Sequence, residues 1–78
     1  MEENKELTFG EKAVGLTFNP GNLLSVEVIK QGFANIIDDL NKTREDAESQ
    51  EVKRLCSVAI TEAQGAQMWA VKALTWKD

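Results

Sequence analysis

Small and apolar residues form a regular stripe in the last third of the chain. Successive members lie four or three positions apart, and the pattern is kept for three heptads. The stripe consists of Val52, Cys56, Ala59, Ala63, Ala66, Ala70 and Ala73. Such a stripe is typical of a helix that packs along its length against another helix. Because most members are alanine, the two backbones can approach more closely than the usual ~8–10 Å. We therefore predict a long helix over residues 51–76 in close contact with a neighbour.

The same helix carries a second stripe of larger apolar residues, so it needs cover on two sides. These residues are Leu55, Val58, Met68, Trp69 and Trp76. A chain of 78 residues buries a modest share of its surface and is only marginally stable alone. With one cysteine and no histidine, it can form neither an internal disulfide nor the usual Cys/His zinc site. We expect self-association, and a helix at the centre of a monomeric core is the alternative.

A strong break at residues 19–22, Asn-Pro-Gly-Asn, divides the rest of the chain. After it, apolar residues at steps of three and four predict a helix over residues 23–48, followed by a polar hairpin turn. Before it, residues 7–18 suit a short helix or an irregular turn after a frayed lead-in over residues 1–6. The sequence thus predicts a single all-α domain over residues 1–78. Its fold would be a short N-terminal helix followed by a long antiparallel helical hairpin, assembled into a homo-oligomer.

Composition excludes several classes of function. A net charge of −4 argues against binding to a DNA or RNA polymer, but it permits a small anionic ligand in a local basic site. No signal peptide or membrane span is expected, and a free cysteine suits the reducing cytoplasm. Without a histidine there is no Ser/His or Cys/His pair. We expect a protein that is not an enzyme and that holds no metal or cofactor.

The segment around the break is the best candidate for a ligand site. Phe18, at the edge of the loop, offers a stacking surface for a base, and Asn19 and Asn22 offer amide donors and acceptors. Gly21 permits close approach of the backbone, and the free N–H groups of the next helix suit a phosphate. Lys30 lies roughly 12 Å further along that helix, within reach of a bound nucleotide. The structural alternative is that Phe18 packs against the helix start and Lys30 is a solvated cation.

A second cluster combines Lys72 with Trp69 and Trp76, which lie three and four positions away on the same helix face. A lysine between two indole rings suits a cation–π contact within the fold. It also suits the wall of an aromatic and cationic pocket. The residue types alone do not separate these two interpretations.

Two blocks of the sequence are similar to segments of a known family. Residues 63–76, AQGAQMWAVKALTW, resemble a last helix that is rich in alanine with Met-Trp-Ala near its end. Residues 9–20, FGEKAVGLTFNP, resemble an N-terminal signature, and a long helix with a charged turn lies between the blocks. The family with these features is the phage cyclic-nucleotide sponge family. The resemblance covers most of the chain, from about Phe9 to Trp76.

This resemblance implies a short helix and an antiparallel helical hairpin that assemble into homohexamers. It implies a phage or prophage anti-defence protein of the anti-CBASS and Thoeris anti-defence type. Such proteins act in the host cytoplasm and sequester immune second messengers without cleaving them. Ligands in the family include cyclic dinucleotides such as cyclic GMP–AMP, cyclic trinucleotides and, for some members, glycocyclic ADP-ribose.

The resemblance also assigns roles to residues. The family's stacking aromatic, often a tyrosine, falls on Phe18, and its phosphate-contacting cation falls on Lys30. Asn19 falls where some members bind trinucleotides at a second site between dimers. Residue chemistry adds four further candidates for ligand binding: Lys12, Trp69, Lys72 and Trp76. The alternative functions are a helical protein–protein interaction module and a small structural protein of the virion, neither with a nucleotide ligand.

Overall fold

Three helices make up residues 6–78, the part of the chain that the computed structural model describes. Helix α1 spans Phe9–Ala13, α2 spans Leu24–Asp46 and α3 spans Gln50–Thr75, and no strand occurs within residues 6–78. This confirms the predicted all-α class, a short helix followed by a helical hairpin. Both long helices begin and end within two residues of the predicted bounds. The predicted lead-in over residues 1–6 lies outside the described residues, except for Glu6.

Helix α1 is shorter than the predicted range 7–18 because both of its ends are fixed locally. The Thr8 hydroxyl accepts the backbone N–H of Glu11, and the Glu11 carboxylate accepts the backbone N–H of Thr8, each at 3.0 Å. This capping box starts the helix. Gly15 has a φ of +61°, a left-handed conformation that glycine adopts readily. Residues 14–17 therefore form a turn instead of a further helical segment.

Helix α1 crosses α2 at Gly10, which is buried. A Cβ atom at Gly10 would lie 2.1 Å from the carbonyl oxygen of Ala34, so the backbones can approach this closely only with glycine. The backbone N–H of Gly10 also donates to the Asp38 carboxylate at 2.7 Å. These contacts fix α1 on α2 and so position the turn that follows.

The core lies between the two long helices and beneath this turn. Its buried members are Val14, Ala34, Ile37 and Ile60, with Ala13, Leu16, Phe33, Leu40 and Ala63 partly buried around them. At the opposite end of the hairpin, Ser49 caps α3 by accepting the N–H of Val52 at 3.2 Å. On the same turn of α3, hydrogen bonds from Arg54 lower the pKa of the exposed Glu51 carboxyl.

The helices form a single layer, whose Cα atoms extend over 45 × 40 × 12 Å. Domains usually bury their apolar faces between two layers, so a single layer leaves apolar side chains uncovered. Large exposed apolar side chains on α2 and α3 include Leu24, Val28, Ile36, Leu55, Val58, Met68, Trp69 and Leu74. The alanine stripe is divided: Cys56 and Ala63 pack toward the core of the chain, whereas Ala66 and Ala73 are exposed.

Two kinds of feature are not found in the described range. No helix there has the length and apolar character needed to cross a membrane. Residues 6–78 also contain no group of three or more Cys, Asp or Glu side chains placed to hold a metal ion.

Candidate functional site

Lys30 joins α2 to the turn after α1. Its side chain is only 4% exposed, and its ammonium donates to the carbonyl oxygens of Gly15, at 2.9 Å, and of Phe18. Lysine has three N–H donors, so within residues 6–78 one donor is left over. The interpretation of Lys30 as a solvated cation is therefore wrong. Lys30 continues the line of Val26 and Ala34, at steps of four on the buried face of α2.

The buried charge of Lys30 has only neutral partners among the described residues. The two ion pairs there are Lys42–Asp46 and Arg54–Glu51, both exposed and both elsewhere in the chain. Burying a charge costs free energy unless the charge is paired or hydrogen-bonded. The two carbonyls supply hydrogen bonds but no opposite charge. An anion beside Lys30 would therefore gain more electrostatic free energy than it would beside an exposed lysine.

Phe18 presents its ring to solvent directly beside this cation. The side chain is 72% exposed, and the Lys30 ammonium lies 5.4 Å from the ring centroid, within cation–π distance. The backbone N–H of Phe18 donates to the Gly15 carbonyl at 2.9 Å, which fixes where the ring leaves the turn. A ring this exposed does not fit the structural alternative of packing against the helix start. It is suited to stacking on a planar ligand.

Two adjoining grooves share Phe18, Lys30 and Val71 in their walls, and we call them together the Phe18–Lys30 groove. One has a volume of about 470 Å³ and lies between α1, the turn and α3. Its other wall residues are Lys12, Ala13, Val14, Gly15, Gln64, Gln67 and Met68. The second has a volume of about 300 Å³ and is completed by Asn19, Pro20, Gly21, Leu23, Val26 and Thr75. The combined wall contains two lysines and no carboxylate.

A third groove of about 550 Å³, called the larger groove because it exceeds either of these two taken singly, lies on the loop and the first turns of α2. Its wall consists of Leu16, Thr17, Asn19, Asn22, Glu27, Val28 and Gln31. This wall includes a carboxylate and no cation, so its charge disfavours a phosphate. Charge therefore favours the Phe18–Lys30 groove for an anionic ligand.

The side chain of Asn19 closes the loop between the turn and α2. Its amide donates to the Leu23 carbonyl at 2.9 Å and accepts the Leu23 N–H at 3.2 Å. Leu23 is the N-cap residue of α2, and no side chain caps the helix start. Asn22 has a φ of +50° and lines the larger groove. The structure therefore gathers Lys12, Phe18, Asn19, Gly21 and Lys30 around the Phe18–Lys30 groove and leaves Asn22 outside it.

Trp69, Lys72 and Trp76 form a separate cluster on the exposed side of α3. The Lys72 ammonium lies 5.5 Å and 5.9 Å from the ring centroids of Trp69 and Trp76. Both distances are those of a cation–π contact, as the first of the two interpretations predicts. None of the three lines the Phe18–Lys30 groove. Met68 alone belongs both to that groove and to the hollow beside Trp69 and Lys72. A contribution of this cluster to ligand binding stays a prediction.

The α3 wall of the groove was missed from the sequence. Gln67 is buried at 5% exposure, and Gln64 and Val71 are half-buried. The signal was present, because Ile60, Ala63, Gln67 and Val71 follow one another at steps of three and four and so share one face. The alanine stripe coincides with only part of this face.

The comparison with protein families agrees with the fold. A family model described as "Acb2/Tad1, hairpin domain" matches residues 11–75. The match begins in α1 and ends with α3, so it includes every wall residue of the Phe18–Lys30 groove and confirms the resemblance. Comparisons with curated proteins and with solved structures find no match. The chain therefore belongs to the Acb2/Tad1 hairpin-domain family, which is the family of anti-CBASS and anti-Thoeris cyclic-nucleotide sponges.

Proposed function

We propose that this protein captures cyclic-nucleotide immune second messengers in the Phe18–Lys30 groove and holds them without cleavage. The observation that carries the proposal is the buried Lys30 ammonium, which has no carboxylate partner among the described residues and lies beside an exposed aromatic ring. A phosphate of the ligand supplies the missing negative charge. A base of the ligand stacks on Phe18, and Lys12 adds a second cation to the wall.

The strength of binding follows from these contacts and from burial. Stacking of a base on an aromatic side chain contributes about 1–3 kcal/mol, and lysine–phosphate hydrogen bonds are charge-assisted. A sponge must out-compete the receptor for its messenger, so we expect a nanomolar Kd, which corresponds to a binding free energy of about −12 kcal/mol. The groove of one chain is open, and a second chain closes it over the ligand.

Self-association is the part of the proposal that the open face of the layer supports. Helix α3 exposes Ala66 and Ala73 together with larger apolar side chains, which a second copy covers. We propose a homohexamer. Ala66→Leu inserts a bulky side chain into the close helix contact and should reduce the assembly mass measured by sedimentation velocity. Ala47→Leu, in the hairpin turn, should leave the mass unchanged, and a hexamer that survives Ala66→Leu would contradict this interface.

The biological role proposed is that of a phage or prophage anti-defence protein in the host cytoplasm. Sequestered messenger does not reach the CBASS or Thoeris effector, which stays inactive. The ligands proposed are cyclic dinucleotides such as cyclic GMP–AMP, with cyclic trinucleotides and glycocyclic ADP-ribose as further candidates. Capture needs no chemical step, and the wall of the groove offers contacts for binding and no acid/base pair.

Calorimetric titration with a panel of these messengers tests the proposal. We expect a nanomolar Kd for at least one of them. Proteolysis of the loaded protein followed by mass spectrometry should then return the intact cyclic ligand. Linear or cleaved product would instead reveal an enzyme, and absence of binding across the panel would contradict the proposal.

The second candidate is a helical protein–protein interaction module or small virion protein, which the exposed apolar side chains of α3 favour. A module of this kind would capture a defined protein partner without any nucleotide and would remain dimeric. A virion protein would be detected by mass spectrometry of purified particles.

A further inference from the structure

Gln67 is a buried polar side chain whose amide has no protein partner in the described structure. Of the two buried polar side chains in residues 6–78, Lys30 donates two hydrogen bonds, whereas Gln67 makes none with another described residue. No polar atom there is sealed from solvent without a partner, so the amide atoms of Gln67 reach an open space. That space is the Phe18–Lys30 groove, whose wall Gln67 joins.

The Gln67 amide lowers the stability of the ligand-free fold. Gln67 continues the buried line of Ile60 and Ala63 on α3, where an apolar side chain would pack without loss. An amide that is almost fully desolvated and has no protein partner destabilises the folded chain. A ligand that pairs with the amide recovers this free energy on binding. The position of Gln67 beside Phe18 and Lys30 therefore indicates a contact to the ligand that these residues bind.

We propose that Gln67 hydrogen-bonds the N7 edge of the base that stacks on Phe18 and so makes the groove selective for adenine over guanine. This inference rests on the proposed function and specifies its ligand. The glutamine amide offers one acceptor and one donor group side by side. Adenine presents the complementary amino donor and ring-nitrogen acceptor on both its Watson–Crick edge and its N7 edge. Guanine presents two acceptors on its N7 edge, so the amide oxygen would face an acceptor there and only one hydrogen bond could form.

Titration of the full chain and of Gln67→Leu with cyclic di-AMP and cyclic di-GMP tests the inference. The unmodified protein should prefer cyclic di-AMP. Gln67→Leu should reduce that preference by about 5- to 100-fold, through weaker binding of cyclic di-AMP. Gln67→Met keeps the length of the side chain without its amide and should give the same result if the leucine variant folds poorly. Gln50→Leu, at an exposed position in the first turn of α3, is the matched control and should change neither affinity.

Two results overturn adenine selection while leaving capture intact. Equal weakening of both ligands would mean that Gln67 contacts phosphate or sugar, which the two ligands share. Unchanged affinities would mean that the amide does not contact the ligand. Absence of binding to any cyclic nucleotide would overturn the proposed function, and this inference with it.

Discussion

Two regions of this chain place a lysine against aromatic rings, and they differ in what surrounds the cation. In the Phe18–Lys30 groove, the ammonium is buried and bonded to a turn that lies twelve to fifteen residues away in sequence. In the Trp69–Lys72–Trp76 cluster, the side chains come from the last turns of α3 and the residue that follows it, and all three are exposed, Trp69 to 72%. The same pairing of residue types therefore occurs in a desolvated site and on an open surface.

The difference shows that tertiary contacts, more than residue types, turn an aromatic–lysine pair into a candidate site. Electrostatic attraction to an anion is strong where water is excluded and weak at an exposed charge. Lys30 is desolvated because α1 and its turn lie over α2 at Gly10. Lys72 has no such cover within the described part of the chain. We therefore expect ligand binding to depend on the first region much more than on the second.

The largest difference in ligand affinity between the two regions should come from removing the lysine charge in each. Lys30→Met keeps the apolar stem but removes the buried cation, and we expect cyclic-nucleotide affinity to fall at least 100-fold in calorimetric titration. The matched change Lys72→Met removes an exposed charge and should alter affinity less than about threefold, because an exposed charge is screened. Equal losses of affinity in the two variants would contradict this expectation. They would mean that the Trp69–Lys72–Trp76 cluster, from the same or a neighbouring chain, contacts the ligand.

One glycine lies in the packing next to each region, and substituting each by alanine compares how tightly the two regions are packed. Gly10→Ala forces the Cβ into the Ala34 carbonyl, so α1 must move away from α2, at a cost of about 1–3 kcal/mol or more in unfolding free energy. Gly65→Ala, in the hollow beside Trp69, places its Cβ atom in open space and should stabilise α3 by about 0.5–1 kcal/mol. Chemical denaturation at one fixed protein concentration measures both. If Gly65→Ala instead destabilises the protein, another chain must pack against that glycine.

Removing each aromatic ring should produce the smaller contrast in affinity. Phe18→Ala removes one stacking surface, worth about 1–3 kcal/mol, and should weaken binding about 5- to 100-fold. Trp69→Ala removes a larger ring outside the groove and should leave affinity nearly unchanged. Sedimentation of both variants is the control, because a loss of assembly would lower affinity indirectly. A greater loss in Trp69→Ala than in Phe18→Ala would reverse the comparison.

The sequence predicts the hairpin well because its signals are local. Periodic apolar residues and the break at residues 19–22 depend on neighbours within a few turns, and the helix bounds follow from them. The burial of Lys30 depends on Gly10, twenty residues earlier, approaching Ala34 across two elements. Periodicity within α2 contains no information about that approach.

The candidate site was predicted in part for the same reason. Phe18, Asn19 and Gly21 were identified from the loop, whose turn chemistry is visible in the sequence. Gln67 was missed because a polar glutamine in a helix resembles a surface residue until the packing of α3 on α2 is known. Asn22 was assigned to the same site because it is adjacent in sequence. Its left-handed backbone and its place in the wall of the larger groove separate it from Phe18.

The structure of the protein with a bound cyclic dinucleotide tests the central claim most directly. The account predicts a ligand phosphate within hydrogen-bonding distance of the Lys30 ammonium, about 3 Å, with a base parallel to the Phe18 ring. A ligand held by Trp69, Lys72 and Trp76, with Lys30 still bonded only to the carbonyls of Gly15 and Phe18, would contradict it.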